Sequence, residues 1–456
     1  MQQHAGRFIH ELCFDDLPRE VVERAQSLML DLLGVAAAGS GTILAGIACD
    51  HAFDFFGAGR NAVRMLFDGR LASPLGAALA GGMTIDSFDG HDGHVLTKGH
   101  VGVAVLPALL AMAERDPSMD GREAIVNFVL GYEIGTRAGI ALHASSSEYH
   151  TSGAWNALAA AALCARSLKL DEITTRHALG IAEYHGPRSE MMRCIDFPTM
   201  LKDGSGWGSM AGVSAALFAQ RGFTGAPALT VEAHEPALWE DLGERWMILE
   251  QYVKPYPVCR WAHPSIAAAL QLRAGHDLSP EMIESVTIET FHEATRLCST
   301  FPANTEEAQY GVLFPVAAAL ADGRVDARTI QSEGLSDARL RDLLPRLRTV
   351  ERAEFSAAFP AERWARVVVT TRDGARLDSG PVTAMGGPDN PMPQDALLSK
   401  FRSLTSARFG DRLAQQIEDD VLSLHESASA MHSLKERVLT APSAQSSHDD
   451  AMTSVL

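Results

Sequence analysis

The sequence has little positive charge, no paired cysteines and no long apolar run. Its 456 residues include 39 Lys and Arg against 57 Asp and Glu, a formal net charge of −18. Nucleic acids and anionic membrane surfaces require clustered positive charge on their partners. We therefore expect no nucleic-acid and no membrane partner, and an anionic substrate would have to meet a locally basic pocket.

The six cysteines are scattered and form no CxxC pair. This spacing disfavours a zinc ribbon, an iron–sulfur cluster or a disulfide framework. The N-terminal stretch has no apolar core of signal-peptide length, and no apolar run approaches the ~18 residues of a membrane span. Together these features predict reduced thiols in a cytoplasmic protein.

Hydrophobic residues make up 46% of the chain, enough for the large core of a globular protein. From about residue 18 to 250, Ala-rich segments of helical periodicity follow one another, and several are apolar nearly all round. The stretches 284–291 and 366–380 are instead rich in β-branched residues, and Asp373-Gly374 is a hairpin signal. The predicted fold class is mainly α, a large all-helical domain with a smaller α+β lid.

The Gly/Pro-rich stretch 384–393 should end the α+β part, because such residues interrupt helices and strands. A helical pattern then returns. The predicted organisation is a helical domain over 1–265 completed by 394–440, an α+β lid over 266–393, and a flexible tail over 441–456.

The stretch 87–100, SFDGHDGHVLTKGH, concentrates polar residues ahead of an apolar helix. Four of them could ligate a metal: Asp89, His91, Asp92 and His94. The His91-Asp92 doublet resembles the motif of the HD-superfamily metal-dependent phosphohydrolases, although the glycines between these residues indicate a loop. Lys98 and His100 stand just before the predicted helix start, where an ammonium and a helix N-terminus both favour an anion. A metal site, an acid/base or carboxylate site and a solvated loop all remain open.

Two later stretches combine polar residues with small-residue helices. His150 opens an Ala-rich helix, where a histidine serves as a cap, a packing residue or a proton carrier. Lys202 and Asp203 precede four glycines. Those glycines would let backbone N–H groups approach a carboxylate, or would allow close helix packing at Gly208 and Gly212.

The run KPYPVCRWAH, residues 254–263, places Lys254, Arg260 and His263 within ten residues. Its prolines prevent a continuous helix, so the three side chains are expected on a rigid extended segment. Arg and Lys suit carboxylates, and His suits proton transfer near neutral pH. Cys259 is interpreted as an apolar filler and not as a nucleophile.

Four stretches carry these candidate residues: 87–100, the one that begins at His150, the one that begins at Lys202, and 254–263. Their order along the chain resembles that of the MmgE/PrpD family, which includes 2-methylcitrate dehydratase, cis-aconitate decarboxylase and iminodisuccinate epimerase. The resemblance runs from LDLLGVAAAGS near the N-terminus to GGPDNPMP. It implies a helical domain with an α+β lid, a homodimer, and a site between the domains that uses no metal or organic cofactor. The implied substrate is a small polycarboxylate.

The resemblance also assigns residues. The family's two histidines fall on His100 and His150, and the lysine and histidine of its KPYP segment fall on Lys254 and His263. An earlier lysine is similar to Lys202, and the family's aspartate-rich run has no unique match among Asp86, Asp89 and His91. The tyrosine of the decarboxylase branch falls on Phe314, one turn after Tyr310.

On this basis we expect His100 and His150 to exchange protons, with Asp89 or His91 assisting. The expected carboxylate ligands are Lys202, Lys254 and Arg260, and the predicted binding set also includes Lys98, His263 and Tyr310. The predicted function is a cofactor-independent lyase, a dehydratase or decarboxylase, acting on a di- or tricarboxylate of the methylcitrate or aconitate type. The alternatives are a dicarboxylate epimerase, a metal-dependent hydrolase using His91, Asp92 and His94, and a non-catalytic carboxylate-binding protein.

Overall fold

The computed structural model describes residues 3–57 and 59–441. Of the predicted flexible tail, only Ala441 falls within them, so that prediction concerns residues outside the described part of the chain. Within the described residues, no single helix is both long and apolar enough to cross a membrane. The sharply bent pair Arg19–Gly39 and Ile43–Phe55 passes that test of length and composition when the two are taken together.

Helices dominate the part of the chain before residue 263. They are α1 (Gln3–Glu11), α2 (Arg19–Gly39), α3 (Ile43–Phe55), α4 (Pro74–Asp86), α5 (Gly102–Arg115), α6 (Gly121–Ser145), α7 (Gly153–Ser167), α8 (Glu172–His185), α9 (Met192–Asp196), α10 (Ser205–Gln220) and α11 (Leu229–Glu232). A two-stranded antiparallel ribbon, β1 (Val63–Arg64) with β2 (Leu71–Ala72), lies between α3 and α4.

The interior of this helical part depends on small residues. Helix α7 is buried along most of its length, and α10 packs against α4, α7 and α8. A Cβ at Gly208 would lie 2.2 Å from Asn156 Oδ1, and one at Gly212 would lie 2.3 Å from the Ala157 carbonyl oxygen. Of the two roles left open for these glycines, close helix packing is therefore the one the structure supports.

The α+β part follows. Its elements are α12 (His263–Gly275), β3 (Ile283–Thr290), α13 (His292–Thr295), α14 (Thr305–Gln309), α15 (Leu313–Asp322), α16 (Ser332–Leu335), α17 (Ala338–Leu343), β4 (Leu347–Glu351), α18 (Ala353–Ala358), β5 (Ala365–Thr371) and β6 (Arg376–Asp378). The sheet order is β4-β3-β5-β6. Strand β3 pairs in parallel with β4 and antiparallel with β5.

The sequence predicted three of these four strands. Strand β3 matches the β-branched stretch 284–291, and β5 with β6 forms the predicted hairpin, in which Gly374 adopts a φ of +88°. Strand β4 was not predicted, because its sequence LRTVE is charged and mostly solvent-accessible at the sheet edge. Edge strands of this kind carry little hydrophobic pattern.

Three helices close the chain: α19 (Gln394–Phe409), α20 (Asp411–Leu422) and α21 (Ala430–Val438). Helix α19 packs on α2, which returns this segment to the helical part. The predicted fold class, mainly α with a smaller α+β part, is confirmed. The predicted domain boundary at residue 265 falls in the first turn of α12, a helix that packs on β5 and α15.

Candidate active site

A closed cavity lies where the helical part meets the α+β part. Its volume in this closed form is about 20 Å³, room for one water molecule, so a larger ligand can enter only when the surrounding segments move apart. Six predicted site residues line it: Asp89, Lys98, His100, Lys254, Arg260 and Tyr310. A cleft beside His10 and Arg166 is far larger, about 550 Å³, but none of the predicted site residues lines it. We therefore place the candidate site in the small cavity, where the chemically active side chains converge.

His100 is held in one orientation at the start of α5. Its backbone N–H donates to Ser152 Oγ at 3.0 Å, and its carbonyl accepts from Asn156 Nδ2 at 3.0 Å. Its ring Nδ1 lies 2.5 Å from the carbonyl oxygen of Asp92. A carbonyl only accepts, so Nδ1 carries the proton in the neutral ring, and the Nε2 lone pair is available as a base.

Asp203 stands beside that free nitrogen. Its Oδ2 lies 3.6 Å from His100 Nε2 and accepts a hydrogen bond from Ser152 Oγ at 2.9 Å. Its other oxygen, Oδ1, is buried and makes no hydrogen bond to any residue in the described ranges. Ser152 therefore links the backbone of His100 to the carboxyl group of Asp203.

Burial sets the protonation of this pair. It raises the pKa of Asp203 to about 8, with further increases from the neighbouring carboxylates of Asp86 and Asp89. Burial also lowers the pKa of His100 well below its usual range, helped by His91 and the Lys254 ammonium. Near pH 7 the pair is therefore a neutral imidazole beside a protonated carboxyl, and not an ion pair. This is the protonation pattern of a base and an acid ready for proton transfer.

Lys254 and Asp89 form a fully buried ion pair on the cavity wall. The ammonium contacts Asp89 Oδ1 and also lies 3.3 Å from the Asp89 carbonyl oxygen. Burial alone would raise the pKa of Asp89, but the ammonium groups of Lys254 and Lys202 act against it, and the net result is a lowered pKa. The pKa of Lys254 is raised against the effect of its own burial, chiefly by Asp89. The pair therefore stays charged, and the Lys254 ammonium already uses one of its hydrogen bonds on the Asp89 carboxylate.

His91 lies behind the lining, not on it. Its ring is edge-on to that of His100 at 4.2 Å, and its Nε2 is 3.4 Å from Asp86 and 3.5 Å from Asp89. Burial lowers the pKa of His91 to about 3, with Lys254 adding to the effect. Burial also raises the pKa of Asp86 to about 7. His91 is thus a neutral ring that supports His100 and Asp89 from the protein side.

The structure brings only part of the predicted metal set together. Asp89, His91 and His100 present possible ligand atoms within 4.8 Å of one another. His94 instead lies 3.5 Å from Glu250, and Asp92 is held near Tyr132, where burial raises its pKa to about 7. The Lys254 ammonium already contacts the Asp89 oxygen that a metal would need, so its charge opposes a divalent ion there.

Lys98 and Lys202 share an unusual backbone conformation. Their φ angles are +52° and +51°, in the left-handed region that non-glycine residues seldom occupy. Lys98 Nζ lies 4.3 Å above the ring of Tyr149, and burial lowers the pKa of this lysine. Lys202 Nζ donates to Gln309 Oε1 at 2.7 Å and lies 5.1 Å from the Tyr310 ring, behind the lining.

His150 does not line the cavity. Its ring Nε2 lies 3.4 Å from Ser146 Oγ, and its backbone N–H donates to His143 Nε2 at 3.3 Å. The preceding residue, Tyr149, faces the cavity and donates its hydroxyl hydrogen to the Lys98 carbonyl. Proton exchange by His150 thus stays a prediction, while Asp203 occupies the position next to His100.

Arg260 and His263 hold the α+β part against the cavity. Arg260 donates to the carbonyl oxygens of Met385 at 2.8 Å and Ala384 at 3.2 Å. Its Nη1 lies 3.3 Å from His263 Nδ1, and His263 Nε2 lies 3.0 Å from the Val258 carbonyl oxygen. Arg260 lines the cavity and His263 lies behind it, so the histidine orients the arginine.

Tyr310 lines the cavity, whereas Phe314 packs in the core with its ring 5.4 Å from that of Phe301. Of these two residues, Tyr310 is therefore the one that reaches the cavity. Burial raises the pKa of the Cys259 thiol to about 12. A thiol of that pKa is no nucleophile at neutral pH, which agrees with its interpretation as a filler.

Among the lining residues that were not predicted as site residues, four carry a charge or a hydroxyl: Tyr149, Asp203, Tyr252 and Arg363. Asp203 had a signal, since it lies between Lys202 and the glycine run. Arg363 had none, because FPAERWAR carries no motif and follows the KPYPVCRWAH run by about 100 residues. The fold brings it to the cavity through the turn before β5.

The residues that build this site coincide with the segments of a known family. The MmgE/PrpD N-terminal domain matches residues 3–236, and the MmgE/PrpD C-terminal domain matches residues 256–425. The chain therefore belongs to the MmgE/PrpD family.

Among its relatives are cis-aconitate decarboxylases. The enzyme of that name from Aspergillus terreus is 24% identical, with 91% of each chain covered, and the one from Homo sapiens is 26% identical, with 87% of this chain and 86% of the relative covered. A cis-aconitate decarboxylase-like protein of Aspergillus oryzae is 24% identical over 92% of this chain and 94% of its own.

Proposed function

We propose that this protein is a cofactor-independent lyase that decarboxylates or dehydrates a small tricarboxylate of the aconitate type. The observation that carries the proposal is the neutral pair of His100 and Asp203, 3.6 Å apart in a cavity also lined by Lys98, Lys254 and Arg260. Cations bind and polarise carboxylates, while an adjacent base and acid move protons without a cofactor. The decarboxylase relatives support the same class of chemistry.

In a decarboxylation, the carbon–carbon bond to the departing CO₂ breaks and its electron pair forms a new C=C bond to the neighbouring carbon, while the electron pair of the original C=C bond moves to that bond's far carbon. A proton must then reach that far carbon. The protonated carboxyl of Asp203 is placed to give this proton, becoming a carboxylate that solvent later reprotonates. In a dehydration, His100 Nε2 would instead remove the Cα proton while Asp203 protonates the departing hydroxyl.

The placement of the pair favours a lyase over the epimerase alternative. An epimerase removes a proton from one face of a carbon and returns one to the opposite face. Here the base and the acid are neighbours on one wall, tied together through Ser152. His150, the other predicted proton carrier, lies outside the lining and so does not supply an opposing group in this structure.

The test is to incubate purified protein with cis-aconitate, methylcitrate, iminodisuccinate and related polycarboxylates in D₂O, following products by NMR. We expect one tricarboxylate to lose CO₂ or water, with deuterium incorporated at carbon, and the rate to be unchanged by a chelator. Absence of both product and deuterium exchange across the panel would refute the lyase and the epimerase together. Loss of activity with chelator would favour the metal-dependent hydrolase.

We also propose that two copies of the chain pair through α10. Trp207 and Phe218 are exposed by 47% and 51%, and residues 207, 211, 214 and 218 share one face of the helix. Phe223, also 51% exposed, extends this face through its ring contact with Phe218. An apolar face on a helix packed on its other sides suits a symmetric interface with a second copy.

A further inference from the structure

We propose that Arg363, on the α+β part, binds a substrate carboxylate remote from the reacting carbon and thereby determines which polycarboxylate is accepted. This inference rests on the proposed lyase function and names the substrate feature that the lid side of the cavity recognises. It concerns a residue that no motif in the sequence marks.

Arg363 is a buried cation with unused donors. It lines the cavity at 7% exposure. Its Nη2 donates to the carbonyl oxygen of Val95 at 3.2 Å. Its Nε and Nη1 are buried and donate to no residue within 3–57 or 59–441. Leaving buried charged donors without partners is costly, so a ligand that accepts from them gains affinity.

No acidic side chain in the described ranges accepts from Arg363, since its Nη2 donates to a backbone carbonyl and its Nε and Nη1 are unpartnered there. The neighbouring Glu362 accepts from Trp364 Nε1 at 2.7 Å and is exposed. The guanidinium lies 5.6 Å from the ring centroid of Tyr252 and 5.9 Å from that of Phe359. Those rings stabilise the charge, and the Tyr252 hydroxyl also interacts with the guanidinium, but Nε and Nη1 find no acceptor within 3–57 and 59–441. The in-plane positions are the ones a carboxylate fills in a bidentate pair.

The other cations of the site are more fully engaged. Lys254 contacts Asp89, Lys202 donates to Gln309, and Arg260 donates to two backbone carbonyls. Lys98 lies over the Tyr149 ring and also interacts with the carboxylate of Glu293. Arg363 contributes to lowering the pKa of Lys98, after burial, which places the two charges at the same end of the cavity.

These observations divide the cavity by role. His100 and Asp203, held by Ser152 and Asn156, form the reacting wall on the helical part. Lys98 and Arg363 form a cationic end, at which the Glu293 carboxylate acts on Lys98 while the Nε and Nη1 of Arg363 find no acceptor among residues 3–57 and 59–441. A substrate whose second carboxylate fills that end would satisfy Arg363 and join the two parts of the chain across the cavity, next to the existing Arg363–Val95 hydrogen bond.

The experiment compares wild type with Arg363→Gln and Arg363→Lys, and with Arg348→Gln as a control on the exposed strand β4. Isothermal titration measures binding of tricarballylate, a saturated tricarboxylate with no C=C bond. We expect Arg363→Gln to weaken binding about 10- to 100-fold, as befits loss of a charge-assisted pair. Arg363→Lys should recover part of it, and Arg348→Gln should bind as wild type does.

In parallel, kcat/KM is measured for cis-aconitate and for a dicarboxylate analogue that lacks the remote carboxylate. Arg363→Gln should lower kcat/KM for cis-aconitate and leave that of the analogue nearly unchanged. Equal losses on both compounds, or undiminished tricarballylate binding by folded Arg363→Gln, would overturn the inference. So would a wild type that does not bind tricarballylate. A wild type that binds it but turns over no polycarboxylate would refute the lyase proposal alone.

Discussion

Replacing Asp203 by Asn removes the proton that this side chain can donate while keeping nearly the same side-chain shape. Asn keeps an oxygen that can accept from Ser152 Oγ but has no proton to give to a carbon or a hydroxyl. We expect kcat to fall about 10²- to 10⁴-fold, the usual contribution of a general acid, with a smaller change in KM. Because the acid form is required, wild-type kcat should fall as pH rises through about 8, the pKa of Asp203.

The same substitution should change stability in a direction fixed by the pKa shift. The folded state holds the Asp203 proton to about pH 8, whereas the unfolded chain releases it near 3.8. Between those values the unfolded state binds fewer protons, so the folded state loses stability as pH rises. Over this window the loss is on the order of a few kcal/mol. Asn does not titrate, so Asp203→Asn should gain stability relative to wild type from pH 5 to pH 8.

Two measurements test this reasoning, steady-state kinetics on cis-aconitate and urea unfolding at pH 5 and pH 8. Asp196→Asn is the matched control, because Asp196 belongs to a partly exposed surface pair with Arg296. It should leave both the kinetics and the pH dependence of stability unchanged. Full activity in Asp203→Asn would remove Asp203 from the mechanism. A stability difference from wild type that is equal at pH 5 and pH 8 would show that Asp203 is ionised in the folded state.

Three other substitutions test separate parts of the structure. Lys254→Met should destabilise the protein by ~3–5 kcal/mol in urea unfolding, because it leaves the Asp89 carboxylate buried and unpaired. Adding Asp89→Asn to this variant should recover most of the lost stability. If the double variant recovers none, the ion-pair explanation is contradicted. For His150→Ala, a proton-transfer role predicts a loss of ~100-fold in kcat, whereas its place outside the cavity lining predicts less than about tenfold. We expect the smaller loss of kcat. A loss of ~100-fold would instead indicate that His150 transfers a proton in the reaction. Trp207→Glu should convert a dimer to a monomer in light scattering, since it places a charge in the proposed α10 interface; a wild type that is already monomeric would refute that interface.

Much of the fold could be predicted from local pattern alone. Ala-rich or small-residue segments of helical period became α2, α4 to α8 and α10, and β-branched stretches with a hairpin signal became β3, β5 and β6. Strand β4 was not predicted, because an exposed, charged edge strand has no distinctive periodicity. Prediction succeeded where burial imposes a repeat on the sequence and failed where it does not.

The sequence by itself also determined the family and part of the composition of the site. His100, Lys254, Arg260 and Asp89 stand in short runs whose residue types and order are informative, and all four line the cavity. The resemblance to MmgE/PrpD proteins could be drawn from those runs because their order along the chain is part of the signal.

Only the tertiary structure decided which neighbours these residues meet. His100 is a neutral base because burial and the Asp92 carbonyl act on it, and Asp203 is protonated because burial and two other carboxylates surround it. Tyr149, not His150, faces the cavity. Arg363 enters from a strand-end turn 263 residues after His100. Desolvation, proximity and side-chain direction depend on packing between distant segments, and no local pattern encodes them.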